Sequence, residues 1–124
     1  MTARLAHVAP WGTEIVDGGA RFRLWAPAQD TISVLSEDGT NIPMTKTDDG
    51  WFEGATDAVP VGGGYQFVLA DGMRVPDPAA RAQVGDVHGP SRLVDPKAYE
   101  WRNAGWKGRP WEEAVLYELH TGTF

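Results

Sequence analysis

Tryptophan is the residue type with the clearest chemical potential in this chain, which carries six tryptophans among 124 residues. An indole ring offers a flat apolar face on which a sugar can stack, although burial in a core or interface is its commoner use. Trp51 follows a turn and must point to the opposite strand face from Phe52, so it is the first candidate for contacting a sugar. Trp25 precedes Ala26 and Pro27 at a strand end, where packing between domains competes with sugar stacking.

Histidine and cysteine give no sign of a metal site. The chain lacks cysteine, so no thiolate site can form, and its three histidines, His7, His88 and His120, lie far apart in the sequence, which argues against a histidine site. We therefore expect no metal and no other cofactor. His120 lies near the end of an apolar run, where a hydrogen bond to a sugar hydroxyl competes with the commoner task of holding a loop.

Composition and charge narrow the class of partner. The chain is 42% hydrophobic and 23% charged, which is typical of an ordinary globular domain. Its net charge of -6 argues against nucleic acid and anionic membranes, because both need a basic patch, and favours a neutral ligand. The sequence shows neither a signal peptide nor a membrane-spanning run, so a cytoplasmic protein is expected.

Residues 1–72 have the pattern of an antiparallel β-sandwich. Turn residues recur at short intervals, and between them apolar residues alternate with polar ones, as in the run Arg21 to Leu24. Each such strand can bury one face only, and no helical pattern is present to cover it, so two sheets must cover each other. We predict an immunoglobulin-like sandwich. The turn signals are Asp17-Gly18-Gly19, Asp38-Gly39, Asp48-Asp49-Gly50, Gly62-Gly63-Gly64 and Asp71-Gly72.

Residues 73–113 read as a connection rich in proline and tryptophan. Several prolines remove backbone donors, so we expect regular strand pairing to fail after Met73, with at most a short turn of helix around Pro78 to Gln83. Asp77 and Arg81 are expected to form a local structural pair, with the carboxylate capping that turn.

Residues 114–124 (AVLYELHTGTF) are nearly continuously apolar, which suits a strand buried on both faces. We predict that this strand opens a (β/α)8 barrel whose other strands are not encoded here, so that the chain is the front end of a larger protein. Without that barrel, the segment is expected to pack on a sandwich edge, pair with a second copy, or fray.

Three stretches, in order, resemble the maltooligosyltrehalose trehalohydrolase family of the alpha-amylase superfamily. They are the strand Arg21 to Pro27 (RFRLWAP), the connection Val75 to Arg81 (VPDPAAR) with His88 to Ser91 (HGPS), and the segment Tyr117 to Phe124 (YELHTGTF). The resemblance covers nearly the whole chain. It implies a cytoplasmic enzyme with an N-terminal sandwich, a connecting segment and the first strand of a catalytic barrel.

The resemblance also implies a reaction: hydrolysis of the α-1,4 glucosidic bond next to the trehalose end of maltooligosyl trehalose, releasing trehalose. A retaining mechanism needs two carboxyls about 5 to 5.5 Å apart at the ends of barrel strands, and in this superfamily they come from later strands. Asp77, Asp86 and Asp95 precede the only barrel strand present, so we assign no catalytic residue and expect this chain alone to be inactive. The implied partners are the α-glucan substrate and the catalytic barrel.

Two other classes remain open. A free-standing glucan-binding sandwich would use Trp51 and neighbouring aromatic residues, and branching or debranching enzymes carry similar modules. An interaction module without a sugar role would instead add its last strand to the sheet edge of another chain.

Overall fold

A computed structural model describes residues 11–103 and 105–124, and its regular structure is almost entirely β. Two antiparallel sheets form the fold, as the alternating pattern predicts. The strands are β1 (Glu14–Val16), β2 (Gly19–Trp25), β3 (Ser33–Ser36), β4 (Asn41–Pro43), β5 (Thr45–Lys46), β6 (Trp51–Thr56), β7 (Gly64–Val68), β8 (Arg74–Val75) and β9 (Ser91–Arg92), followed by a 3-10 helix (Trp111–Glu113).

The first sheet has the order β1-β2-β6-β5 and presents the tryptophans predicted to contact sugar. β2 and β6 pair along their length, with Arg23 opposite Glu53 and Trp25 opposite Trp51. Side chains alternate between the two faces of a strand, so these four point away from the core while Phe52 points into it. The sequence-based prediction that Trp51 and Phe52 lie on opposite faces is confirmed.

The second sheet has the order β4-β3-β7-β8, and β9 pairs with β7 beside β8. Both β8 and β9 belong to the segment predicted to lack regular pairing, so that prediction is wrong. The prolines are tolerated because neither two-residue strand contains one; Pro76, Pro78 and Pro90 lie just outside them. The predicted turn of helix around Pro78 to Gln83 is a simple turn at Pro78 and Ala79.

The core lies between the two sheets and is rich in aromatic rings. Phe22 and Phe67 each lie edge-on to Tyr65, with ring centroids 4.9 and 6.0 Å apart. Leu93, from the connection, is as deeply buried as the strand residues. The buried apolar residues are Ala20, Phe22, Ile32, Val34, Met44, Phe52, Val59, Tyr65, Phe67 and Leu93.

Residues 114–124 form no strand in the structure, and their side chains are exposed. Val115 is 93% exposed and Leu116 78%, so these apolar side chains are not buried in the sandwich core. The predicted domain boundaries at residues 72 and 113, and the barrel role of this segment, stay predictions. Among the described residues, no helix is long and apolar enough to cross a bilayer.

Gly19 is the glycine whose backbone the sandwich requires most strictly. Its φ is 148°, and a Cβ atom there would lie 2.3 Å from the carbonyl oxygen of Thr56 on β6. Gly18 also has a positive φ, of 80°, but faces open space. Comparing the same substitution at the two glycines therefore separates the cost of backbone strain from the cost of a steric clash.

We predict that Gly19→Ala lowers the free energy of unfolding by about 2 kcal/mol more than Gly18→Ala, because only the former forces β2 away from β6. Urea denaturation of both variants against wild type provides the measurement. Equal losses for the two variants would contradict the close approach of β2 and β6 at this position.

Candidate functional site

An open cleft of about 230 Å³ lies where β2 ends and β6 begins. The paired tryptophans Trp25 and Trp51 form one side, and the turn that contains Pro78 forms the other. The connection therefore supplies three of the eight lining residues. The lining consists of Trp11, Arg23, Leu24, Trp25, Trp51, Asp77, Pro78 and Ala79.

The two tryptophans predicted from the sequence differ in how they are held. Trp25 is 59% exposed, and its indole Nε1 donates a 3.2 Å hydrogen bond to the carbonyl oxygen of Asp49. Trp51 is partly buried, and the Arg23 guanidinium lies 4.7 Å from the centroid of its ring. Glu53 holds that guanidinium from the neighbouring strand, at 2.7 Å. One face of Trp51 is therefore occupied by Arg23, whereas Trp25 is more open to solvent.

The opposite wall is fixed by a buried carboxylate. Asp77 is 4% exposed; one carboxylate oxygen accepts a 2.7 Å hydrogen bond from the Tyr65 hydroxyl, and the other accepts one of 2.7 Å from the Ala79 amide. The Asp77 amide donates to Oγ of buried Ser91 at 2.8 Å. These contacts tie the turn beside Pro78 to β7 and β9.

Burial raises the pKa of Asp77 above its ordinary value of 3.8, against the opposing effects of the Tyr65 and Ala79 hydrogen bonds and the Arg81 charge. Burial, together with the negative charge of Asp77, raises the pKa of Tyr65 as well. The hydroxyl therefore stays protonated and donates to the carboxylate.

The predicted local pair of Asp77 and Arg81 is wrong. Arg81 donates a 3.0 Å hydrogen bond to the carbonyl oxygen of Thr13, and no ion pair between Asp77 and Arg81 occurs among the described residues. Asp77 does cap its turn, through the Ala79 amide. The pairing fails because the carboxylate points into the core toward Tyr65, whereas Arg81 lies at the surface.

The third predicted sugar contact, His120, lies outside the cleft. Its Nδ1 is 3.2 Å from the Thr123 hydroxyl, and its carbonyl oxygen accepts the amides of Thr123 and Phe124, so it closes an exposed turn. The structure therefore brings Trp25 and Trp51 together and leaves His120 separate from them.

The Asp86 and Asp95 carboxylates of the connection are engaged in local contacts. Asp86 and Asp95 each accept a backbone amide two residues on, from His88 and Lys97, and so stabilise local turns. Nowhere in residues 11–103 or 105–124 do three histidine or acidic side chains meet in a way that could hold a metal ion. The site is suited to binding through aromatic faces and hydrogen bonds.

Sequence reasoning missed Trp11, Arg23 and Pro78 as cleft residues, and it missed the buried contacts of Asp77. The pairing of β2 with β6 carries a partial signal, because Arg23 and Trp25 share a strand face two residues apart. No local sequence signal predicts how the connection folds over the sandwich, because that fold depends on contacts between residues far apart in the chain.

Two trehalohydrolases and a branching enzyme match most of this chain. A malto-oligosyltrehalose trehalohydrolase from a Rhizobium species is 38% identical over 115 residues, covering 88% of this chain and 19% of the relative. One from Deinococcus radiodurans is 42% identical over 108 residues, covering 86% and 17%. A 1,4-alpha-glucan branching enzyme from Pseudoalteromonas atlantica is 29% identical over 118 residues, covering 84% and 16%. No family model matches the chain.

A solved structure agrees with both fold and sequence. The crystal structure of a candidate alpha amylase from Salmonella typhimurium superposes with a TM-score of 0.80 and 51% identity, covering 95% of this chain and 20% of that one. The chain thus spans about a fifth of the length of the proteins it matches.

The two-sheet fold and these matches define the class: a β-sandwich similar to a region of alpha-amylase-type enzymes. In particular, the chain is similar over most of its length to malto-oligosyltrehalose trehalohydrolases. The resemblance inferred from the sequence is confirmed.

The raised pKa of Asp77 predicts a pH dependence of stability. The folded state binds the Asp77 proton more tightly than the unfolded state, so the contribution of this group to the free energy of unfolding falls as pH rises from about 4 through the raised pKa. Asp77→Asn removes this titration. In urea denaturation at a series of pH values, the difference in free energy of unfolding between the wild type and Asp77→Asn should shrink as pH rises.

Asp86→Asn is the matched control, because Asp86 accepts a backbone amide in the same way but is exposed. It shows how the free energy of unfolding changes when a turn loses a carboxylate that makes no contact with the core. A wild-type advantage over Asp77→Asn that grows with pH would mean that burial does not dominate at Asp77.

Proposed function

We propose that this chain is the non-catalytic N-terminal region of a hydrolase that cleaves the α-1,4 glucosidic bond next to the trehalose end of maltooligosyl trehalose, releasing trehalose. The observation that carries the proposal is the 38 to 42% identity to trehalohydrolases over most of the chain, against 29% to a branching enzyme. The branching-enzyme function is the second candidate, supported by that weaker match.

The chemistry of the cleft supports a non-catalytic role for this region. A retaining hydrolase needs a nucleophilic carboxylate and a second carboxyl that serves as acid and then base. At the cleft, Asp77 is buried and bonded to Tyr65, and the neighbouring Glu53 is paired with Arg23. Neither is available to attack a sugar. The catalytic carboxyls of the proposed enzyme belong to its barrel.

Two kinds of partner follow from the proposal. The barrel of the same polypeptide would cover the exposed apolar side chains of residues 111–124, including Trp111 and Leu116. The α-glucan would contact Trp51 and Trp25 at the cleft, and His120 where the barrel meets this region. A cytoplasmic location is part of the proposal, in keeping with the expected substrate.

The proposed activity is tested with a polypeptide that extends this chain through a catalytic barrel. Incubation with maltooligosyl trehalose should release trehalose, whereas residues 1–124 alone should release none. Chromatography of the products over time is the measurement. Transfer of glucan branches by the longer polypeptide, without trehalose release, would favour the branching enzyme, and hydrolysis by residues 1–124 alone would overturn the non-catalytic role.

The exposed terminal segment predicts self-association of residues 1–124 in solution. Leu116→Glu should shift the protein toward monomer, because it puts a charge on a surface that must be desolvated for two copies to meet. Sedimentation velocity over a concentration series is the measurement, and Glu118→Gln, in the same segment, is the matched control. A wild-type chain that stays monomeric throughout the series would contradict this proposal.

A further inference from the structure

We propose that the tryptophan cleft binds a single glucosyl unit of an α-glucan, with Trp25 as the stacking platform and Trp51 as a supporting wall. This inference rests on the proposed function for the choice of ligand. It reverses the order expected from the sequence, in which Trp51 is the first candidate. Four observations carry it.

The first observation is the difference in ring access between the two tryptophans. The Arg23 guanidinium lies over Trp51 at 4.7 Å, so that face already has a partner. Trp25 is 59% exposed while its Nε1 is anchored to the Asp49 carbonyl oxygen. A ring that is held in place but open to solvent loses little conformational entropy when a sugar stacks on it.

The second observation is the size of the cleft. Its volume of about 230 Å³ is below the roughly 300–1,000 Å³ of pockets that enclose drug-sized ligands. The cleft is open, and Trp11 and Pro78 contribute to its lining. This volume favours one pyranose ring as the bound unit, with the rest of a glucan chain continuing into solvent.

The third observation is the charge state of the lining. Arg23 is paired with Glu53, and the Asp77 carboxylate is bonded to Tyr65 and Ala79. The Arg23 cation thus has an opposite charge beside it, and the Asp77 carboxylate is hydrogen-bonded, in a chain with a net charge of -6. A neutral polyol is better suited to this site than a phosphate or carboxylate ligand, because the Arg23 cation that lines the cleft is already compensated by Glu53.

The fourth observation is that residues behind the cleft hold both walls in position. Arg23 and Glu53 fix the orientation of Trp51 across the β2–β6 pair. Asp77 fixes the turn of Pro78 through Tyr65 and the Ala79 amide. Arg23 and Asp77 are positioning residues for the sugar site, whereas Trp25 would contact the sugar.

The test is a titration of residues 1–124 with maltoheptaose, followed by two-dimensional NMR of the tryptophan indole N–H groups. In the wild-type protein the Trp25 and Trp51 signals should shift on binding, and that of Trp111, which does not line the cleft, should not. Trp25→Ala should weaken binding about tenfold or more, because it removes the stacking surface. Trp25→Phe should recover part of the affinity, and Trp111→Ala should leave it unchanged.

Each result is decisive for the cleft. Binding that survives Trp25→Ala, or indole shifts confined to other tryptophans, would place the glucan elsewhere and overturn the inference while leaving the proposed enzyme intact. Absence of binding by the wild type would also overturn it, and trehalose release by the longer polypeptide would judge the proposed function separately. Because the indole shifts are recorded on the wild-type protein, they test the inference even where a variant fails to fold.

Discussion

The contact between Tyr65 and Asp77 joins the two parts of this structure. The Tyr65 ring lies in the core between Phe22 and Phe67, and its hydroxyl reaches the buried carboxylate of the connection at 2.7 Å. A buried charge is tolerated only when it is hydrogen-bonded, and Asp77 obtains its hydrogen bonds from β7 and from its own turn. The position of the turn is therefore set by the packing of the core.

The position of this turn also determines the shape of the cleft at the surface. The turn of Pro78 forms one wall because the buried residues Asp77 and Leu93 hold the connection against the second sheet. There β8 and β9 also pair with β7. The tryptophan wall exists because β2 and β6 pair in the register that sets Trp25 opposite Trp51. Neither wall alone would form the cleft. The cleft is a product of the sandwich and the connection together.

Sequence reasoning predicted the sandwich well because alternation and turn residues are local signals. Phe22, Val34 and Phe67 are buried where the period of two places them, and the tight turns occur at the predicted glycines. The sequence-based prediction failed in the connection, where the proline content predicts an absence of strands. The two residues of β8 and of β9 pair with β7 between prolines, and only long-range packing selects them. The same limitation explains the missed role of Asp77, whose hydrogen-bond partners lie 12 and 14 residues away along the chain.

Amide hydrogen exchange at the turn of the connection tests the central claim most directly. The amides of Asp77 and Ala79 bond to buried Ser91 and to the Asp77 carboxylate, so they should exchange about as slowly as the amides of β7. The His88 amide, bonded to exposed Asp86, should exchange much faster. If Asp77 and Ala79 exchanged as fast as His88, the connection would open independently of the core, and the claim that core packing sets the position of the turn would be contradicted.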